Sequence, residues 1–431
     1  MKHHSTERAK NTERAKDSAS DMAAQMFEDI RVLSQDEAGV SRPAFSAKES
    51  ETLDYLAARA RDEGLCVTED AGKNLWFCLS EHQAAESYTV IGSHVDSVPM
   101  GGNYDGLAGV IAGLMVLIEA CRGRRQLNKA VKVLAMRGEE SAWFGACYLG
   151  SKMLTGSLPE GEFNAAHKGD GRALNAHLAG LGIDIAPIAA QSPIFDLSGI
   201  DAYLELHIEQ GPLLVERNLP AAVVTGIRGN FRYRDIHCIG QAGHSGAVPR
   251  AYRHDPVLAF AELMHRLDGT WQHLLNTGQD LVLTSGVVGT DPNRHAIARI
   301  PDEIGFSLDV RSQDADTLEQ MREYLTDEMD DIARSRGVTF EVGAPVAVAP
   351  ALMDPTLVDV LTQVMDQVTG EGFKMASGGG HDAAIFAQAG VPSGMIFVRN
   401  RNGSHNPDEA MEIADFMVGV DILSTYMEAA S

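Results

Sequence analysis

The sequence predicts an α/β protein with a discontinuous larger domain, built on a central mixed sheet and interrupted by a smaller inserted α+β domain. Three observations carry this. Short apolar strand-like runs at 65–68, 74–79, 88–91, 130–135 and 202–208 are separated by helical patterns and glycine-rich loops. Near Gly226 the order changes to strand (231–239), helix (256–275), strand (281–288), strand (304–311) and helix (317–333). After Val338 mixed strands and helices resume and run to a final helical pattern. The expected boundaries are therefore 1–225 with 338–431 for the larger domain and 226–337 for the insertion.

Each element has a local reason. The polar, charged residues 1–16 read as a disordered end, followed by helical patterns at 18–33 and 46–61, the second with Ser46 as its cap. Val90 and Ile91 close a short apolar strand, with His94 and Asp96 just past its carboxyl end. A loop holding Pro99, Gly101 and Gly102 leads to Asp105, and 107–118 is apolar on all sides, as in a buried helix. The run 130–135 delivers Glu139 and Glu140 at its end, and 202–208 places His207 near its own. Residues 156–199 mix helical pieces with Pro and Gly and read as an excursion from the sheet. In the inserted domain Leu318, Met321, Leu325 and Ile332 form one helical stripe.

Composition narrows the function. The formal charge of −24 over 431 residues argues against nucleic acid or an anionic membrane as partner. An anionic substrate would need a local basic site, and arginines crowd the inserted domain (Arg228, Arg232, Arg234, Arg250, Arg253, Arg294, Arg299, Arg311). The five cysteines form no CxxC pair and suit reduced thiols in a cytoplasmic protein. No secretory signal is read in the first residues, and the apolar run 107–118 is too short to span a bilayer.

His94, Asp105, Glu140, His207 and His405 are the candidate metal ligands, each just after a strand or in a Gly/Asn-rich loop. Any one alone reads as a strand-end polar residue in solvent. Together they form an imidazole–carboxylate set of the kind zinc accepts, and open α/β sheets gather their sites at strand carboxyl ends. Two ions sharing Asp105 would bring a bound water to a pKa of about 7, with Glu139 beside Glu140 as base. His381 and Asp382 read either as part of a site or as the cap of the following helix. Arg311 reads either as a carboxylate clamp or as a surface ion pair with Asp309. His167, His177, His237, His254, His265 and His273 read as structural or exposed.

The segments GSHVDSV, GGNYDG, GEES, LELHIEQGP, GQAGHSG, DEIGFSLDVRS, GGGHDA and GSHNPDE occur in this order. The order resembles that of the M20-type metallopeptidase-like superfamily. LELHIEQGP resembles its hydantoinase/carbamoylase amidase branch in particular, because other branches usually carry a carboxylate where His207 stands. That branch includes N-carbamoyl-L-amino-acid hydrolases, β-ureidopropionases and allantoate amidohydrolases. The resemblance spans roughly 22–427. It implies two divalent ions, zinc foremost, with manganese, cobalt or nickel as alternatives. One ion would lie on His94, Asp105 and His207, the other on Asp105, Glu140 and His405. It further implies Glu139 as general base, Asp96 orienting His94, and Gln210 touching substrate. His244 would polarise the scissile carbonyl, Arg311 would clamp a substrate carboxylate, and His381 would line the site. The insertion would serve as lid and as the surface of a homodimer.

Three positions depart from the branch. Ser141 follows Glu140 where Gly is usual. Ala298 stands thirteen residues before Arg311 where an Asn usually helps hold substrate. Arg250 stands where Met is usual. The metal and base positions are intact and part of the substrate pocket is altered. The expected reaction is hydrolysis of a non-peptide C–N bond in an N-carbamoyl or ureido acid. The alternatives are an M20 peptidase or aminoacylase acting on N-acyl amino acids, and a catalytically silent binding protein on the same fold.

Overall fold

A computed structural model describes residues 19–429. The disordered end expected at 1–16 lies outside the described residues. The chain separates into two compact units, one of residues up to Thr225 and from Met353, the other Gly226–Leu352.

In the first unit the sheet order is Cys66–Glu69, Leu75–Cys78, Val131–Met136, Tyr88–His94, Ile200–Ile208, Ser393–Val398 and Ala221–Ile227. The four strands from Val131–Met136 to Ser393–Val398 run parallel, and antiparallel strands flank them, so the sheet is mixed. Parallel strands covered on both faces are apolar throughout; Tyr88–His94 is buried along its whole length. The strand runs through His94 instead of stopping at Ile91, which places that ring at the last paired position. Helix Leu107–Cys121 is buried from Leu107 to Ile118. It lies so close to the sheet that a Cβ on Gly109 would stand 2.2 Å from the Leu206 carbonyl oxygen. Strand Ala221–Ile227 has no counterpart in the sequence reading.

Helix Ala47–Asp62 begins as expected, with the Ser46 side chain accepting from the Glu49 N–H. The excursion 156–199 carries short helices Glu160–Phe163, Leu174–Gly180 and Ile185–Ala189. Its Phe163, Leu174 and Leu178 share one apolar cluster with Phe45, Phe144 and Leu149 from outside it.

The second unit is an antiparallel sheet under two helices. Strand Gly229–Ile239 pairs with Glu303–Ser312, and the latter alternates strictly, burying Ile304, Phe306, Leu308 and Val310. Helices Pro256–Asn276 and Ala315–Arg336 cover that face, the second through Leu318, Met321, Leu325, Met329 and Ile332. Two expectations need correction. The insertion extends past 337 to Leu352, because Thr339–Val342 and Val346–Val348 both pair with Gly229–Ile239. The single strand expected at 281–288 is two, Val282–Thr284 and Val288–Gly289. Between them Val287 bonds to Ser307, through the Ser307 side chain and main chain, and does not continue the ladder. Among the described residues no helix is long and apolar enough to cross a membrane.

Candidate metal centre

The carboxyl ends of the parallel strands bring five side chains of the first unit to one point. His94 Nε2 lies 3.4 Å and His207 Nε2 3.1 Å from Asp105 Oδ1. His405 Nε2 lies 3.3 Å from the other oxygen, Oδ2, and 3.5 Å from Glu140 Oε1. Two groups of donors therefore form, His94–Asp105–His207 and Asp105–Glu140–His405, each with its ligand atoms within 4.8 Å of one another. Asp105 belongs to both and gives each a different oxygen.

The backbone is shaped for this. Gly106 has φ +65, and a Cβ there would sit 2.3 Å from the His94 ring, so only glycine lets Asp105 approach His94. His405 itself adopts φ +61, a left-handed conformation that non-glycine residues rarely take and that recurs at functional sites.

The ring orientations favour cations. His207 Nδ1 faces the Ile208 carbonyl at 2.9 Å and His94 Nδ1 the Asp96 carbonyl at 3.1 Å, so each Nδ1 carries its hydrogen toward a main-chain oxygen. Each Nε2 is then left facing a carboxylate oxygen at 3.1–3.4 Å. That approach needs a positive charge, either a proton on each ring or a metal ion between the donors. Burial opposes the charged form of His94, but hydrogen bonds to Asp105 and Asp96 outweigh it and raise its pKa well above the ordinary value. His207 is raised in the same way, and the bond to Asp105 lifts His405 to about 9. Conversely, burial works against the Asp105 carboxylate, yet the three histidines hold its pKa well below the usual range. Tetrahedral zinc with bonds of about 2.0–2.2 Å sets its ligands about 3.3–3.6 Å apart, and the donor pairs here lie 3.1–3.5 Å apart. Both groups fit divalent cations.

The acids around them need the same positive charge. Burial pushes Glu140 up to about 7, with Asp105 adding repulsion. Glu139 is buried and belongs to neither ligand group; burial raises it well above the carboxylate range despite the His94 ring, whose Nε2 is 3.9 Å from its Oε2. Asp96 has a second task besides His94. Its Oδ1 accepts from the Glu139 N–H at 2.9 Å and its Oδ2 from the Glu140 N–H at 3.0 Å, which fixes the loop presenting both glutamates.

Several buried groups holding this arrangement were not legible in the sequence. Glu409 Oε1 accepts from the Tyr104 and Asp105 N–H groups, and its Oε2 accepts from Ser404, whose hydroxyl also reaches Asp105 Oδ2. Arg42, fully buried, donates to the Val95 carbonyl and to Asn103, within the two segments that carry His94 and Asp105. Glu49 accepts from Arg137 and from the Gly138 N–H, anchoring the approach to Glu139. Glu205, under His207, accepts from Ser93 and from the Ala383 N–H.

The remaining site candidates of this unit have partners within the protein. Gln210 donates to Asp105 Oδ2 at 2.8 Å. His381 is buried, bonded to Ser377 and packed edge-on against His207, so it backs a ligand and does not face open space. Asp382 opens helix Asp382–Gln388 without capping it; Oδ1 accepts from Ser151, and Oδ2 finds no hydrogen-bond partner among the described residues.

The sequence of residues 90–429 matches the model of Peptidase family M20/M25/M40. The chain belongs to this family. It is 32% identical over 396 residues to an N-carbamoyl-L-amino acid amidohydrolase of Geobacillus stearothermophilus, covering 90% of this chain and 93% of that one. It is 30% identical over 387 residues to an allantoate amidohydrolase of Escherichia coli (strain K12), covering 90% and 92%. A crystal structure of an amidase of the hydantoinase/carbamoylase family from Burkholderia multivorans superposes with a TM-score of 0.82 at 27% identity, covering 95% and 97%. The resemblance read in LELHIEQGP thus extends to structure in this M20 member.

In the inserted unit His244 is exposed on the short strand Gly243–His244, paired with Arg299–Ile300, and its Nδ1 accepts from the Gly246 N–H. Ala298 is adjacent: its carbonyl accepts from the Ser245 N–H. Arg294 and Arg299, which flank it, both pair with Asp302. Arg311 pairs with Asp309 at 2.9 Å, and Asp309 also receives Arg232.

Proposed function

We propose that this M20 member hydrolyses the C–N bond of an N-carbamoyl-L-amino acid or a related ureido acid such as β-ureidopropionate or allantoate, using two divalent cations that share Asp105. The observation that carries the reading is the division of Asp105 between two donor groups, with a buried Glu139 beside them that ligates neither. The names of the relatives support the bond and the substrate class.

His94, Asp105 and His207 would hold one ion, and Asp105, Glu140 and His405 the other. Bound there, zinc would polarise the substrate carbonyl and make water acidic enough to react at neutral pH. Two imidazoles in one shell and one in the other suit zinc, and also cobalt, nickel or manganese. Glu139 takes the proton of the attacking water and returns it to the leaving nitrogen, the exchange expected of a buried carboxylate whose charge is balanced by nearby cations. Asp96 keeps that carboxylate in register through the Glu139 and Glu140 N–H groups. His244 donates to the carbonyl oxygen as negative charge develops on it, and Arg311 shares its planar guanidinium between Asp309 and the substrate carboxylate. Gln210 turns its amide from Asp105 to substrate. For an N-carbamoyl acid the bond from the α-nitrogen to the carbamoyl carbon breaks, and the released carbamate decomposes to carbon dioxide and ammonia. The inserted unit acts as lid and as the surface of a homodimer. The five free thiols suit a cytoplasmic setting.

A panel of N-carbamoyl, N-formyl and N-acetyl amino acids and ureido acids, offered to protein reconstituted with zinc or manganese, tests the reading. The carbamoyl and ureido acids are expected to turn over with the highest kcat/KM. Turnover of N-acetyl acids or dipeptides with none on ureido acids would select an aminoacylase or peptidase. An inert metal-replete protein would point to a silent binding function.

For Arg311→Lys the expected result is a KM higher by about 10-fold to 100-fold with kcat little changed, since a point charge replaces a two-pronged donor. An unchanged KM for carboxylate substrates removes Arg311 from the substrate site.

A further inference from the structure

A second kind of donor cluster lies in the excursion 156–199 and shares no residue with the Asp105 centre. His177 Nε2 is 3.2 Å and His167 Nδ1 3.4 Å from Asp170 Oδ1, with all three ligand atoms within 4.8 Å of one another. The sequence reading left both histidines as structural or exposed.

Asp170 Oδ1 accepts from the Arg172 N–H at 2.9 Å and faces His177 Nε2 at 3.2 Å, while His167 meets main-chain donors. Its Nδ1 accepts from the Gly169 N–H at 3.2 Å and from the Asp170 N–H at 3.3 Å, so this nitrogen presents a lone pair and not a proton. That lone pair and Asp170 Oδ1 lie 3.4 Å apart, and a cation held by both would take the place of the two N–H groups on the nitrogen. The spacings of 3.2 and 3.4 Å again lie near the edges of a zinc tetrahedron, about 3.3–3.6 Å.

The rings are held for the purpose. Trp143 stacks on His167 with planes 5° apart, and Phe144 meets His167 and His177 edge-on at 5.0 and 5.2 Å. The loop is closed by the bonds His167 N–H to Arg172 and Gly171 N–H to His167, and His177 is carried by helix Leu174–Gly180. The Asp170 side chain is 43% exposed, which leaves an entry path.

We propose that His167, Asp170 and His177 form a structural metal site for a borderline divalent cation of the zinc type. Two imidazoles and one carboxylate disfavour magnesium and calcium, which take oxygen shells, and they leave the fourth tetrahedral position to water. The ion closes the loop from His167 to His177, which packs against the segment that presents Glu139 and Glu140. Trp143 lies on helix Ser141–Phe144 directly after Glu140, its Nε1 donates to the Ser97 carbonyl, and its own carbonyl accepts from the Lys168 N–H.

The test is a metal count on the full chain, stripped with chelator and reconstituted with Zn2+. The double variant His167→Ala, His177→Ala is expected to bind one ion per chain fewer than the unaltered protein, whatever the total. Equal counts overturn the proposal. Because that variant risks misfolding, Co2+ is also titrated into Asp105→Ala, where the cluster is intact. One equivalent with the absorption of tetrahedral cobalt, lost when His177→Ala is added to the same variant, supports the site; no binding, or absorption unchanged by that addition, overturns it. The signal is assigned by its dependence on His177 and not on Asp105, so its failure and the failure of the proposed function remain distinguishable.

Discussion

Replacing Glu139 with Gln is expected to lower kcat by about 10³-fold, within the range that a positioned proton-transfer group contributes, while leaving the metal content unchanged. The substitution keeps the shape of a buried side chain that lies in neither donor group, so ligation and folding are spared. It also keeps the Glu139 N–H, through which Asp96 holds the loop. What disappears is the acceptor for the proton of the attacking water and the donor to the departing nitrogen. Steady-state kinetics beside metal analysis of the same sample decides the matter. Full activity with full metal occupancy would remove Glu139 from the role of base. Activity lost together with metal would show that it acts as a ligand instead.

Asp105→Ala is expected to do more damage, because one carboxylate serves both donor groups. His94 and His207 lose their common oxygen, and His405 and Glu140 lose theirs. Both ions at this centre should be lost, and turnover should fall by at least about 10⁴-fold, the loss of several kcal/mol of charge stabilisation at tenfold per 1.36 kcal/mol. Circular dichroism should stay that of the unaltered protein, since helix Leu107–Cys121 and the strands beneath it are held by apolar burial and not by this side chain. Retention of one ion at the centre with partial activity would mean that the two groups bind independently.

Much of this centre was readable because its residues interrupt apolar patterns. A His just after the run 88–91 or near the end of 202–208 stands out against its neighbours, and a glycine-rich loop before Asp105 marks a sharp change of direction. Ser46 as a cap and the Leu318 stripe were legible for the same local reason. The supporting groups were not. Glu409, Arg42, Glu49 and Glu205 are charged residues of the kind that ordinarily face solvent, and their partners are far along the chain; Glu409 bonds to a main-chain N–H 305 positions away. The boundary at Leu352 escaped for a related cause, since Thr339–Val342 finds its place only by pairing with a strand about a hundred residues earlier. His381 reads in sequence either as part of a site or as the cap of the following helix, and neither reading foretells that its ring packs on His207. The excursion 156–199 offered no clear periodicity, so His167, Asp170 and His177 gave no sign of meeting.

The central claim is that two cations flank a single carboxylate. Diffraction from zinc-reconstituted crystals, recorded at the zinc absorption edge, tests it most directly. Two anomalous peaks are expected around Asp105, one against His94 and His207 and one against Glu140 and His405. A single peak, or none at this carboxylate, would contradict the account.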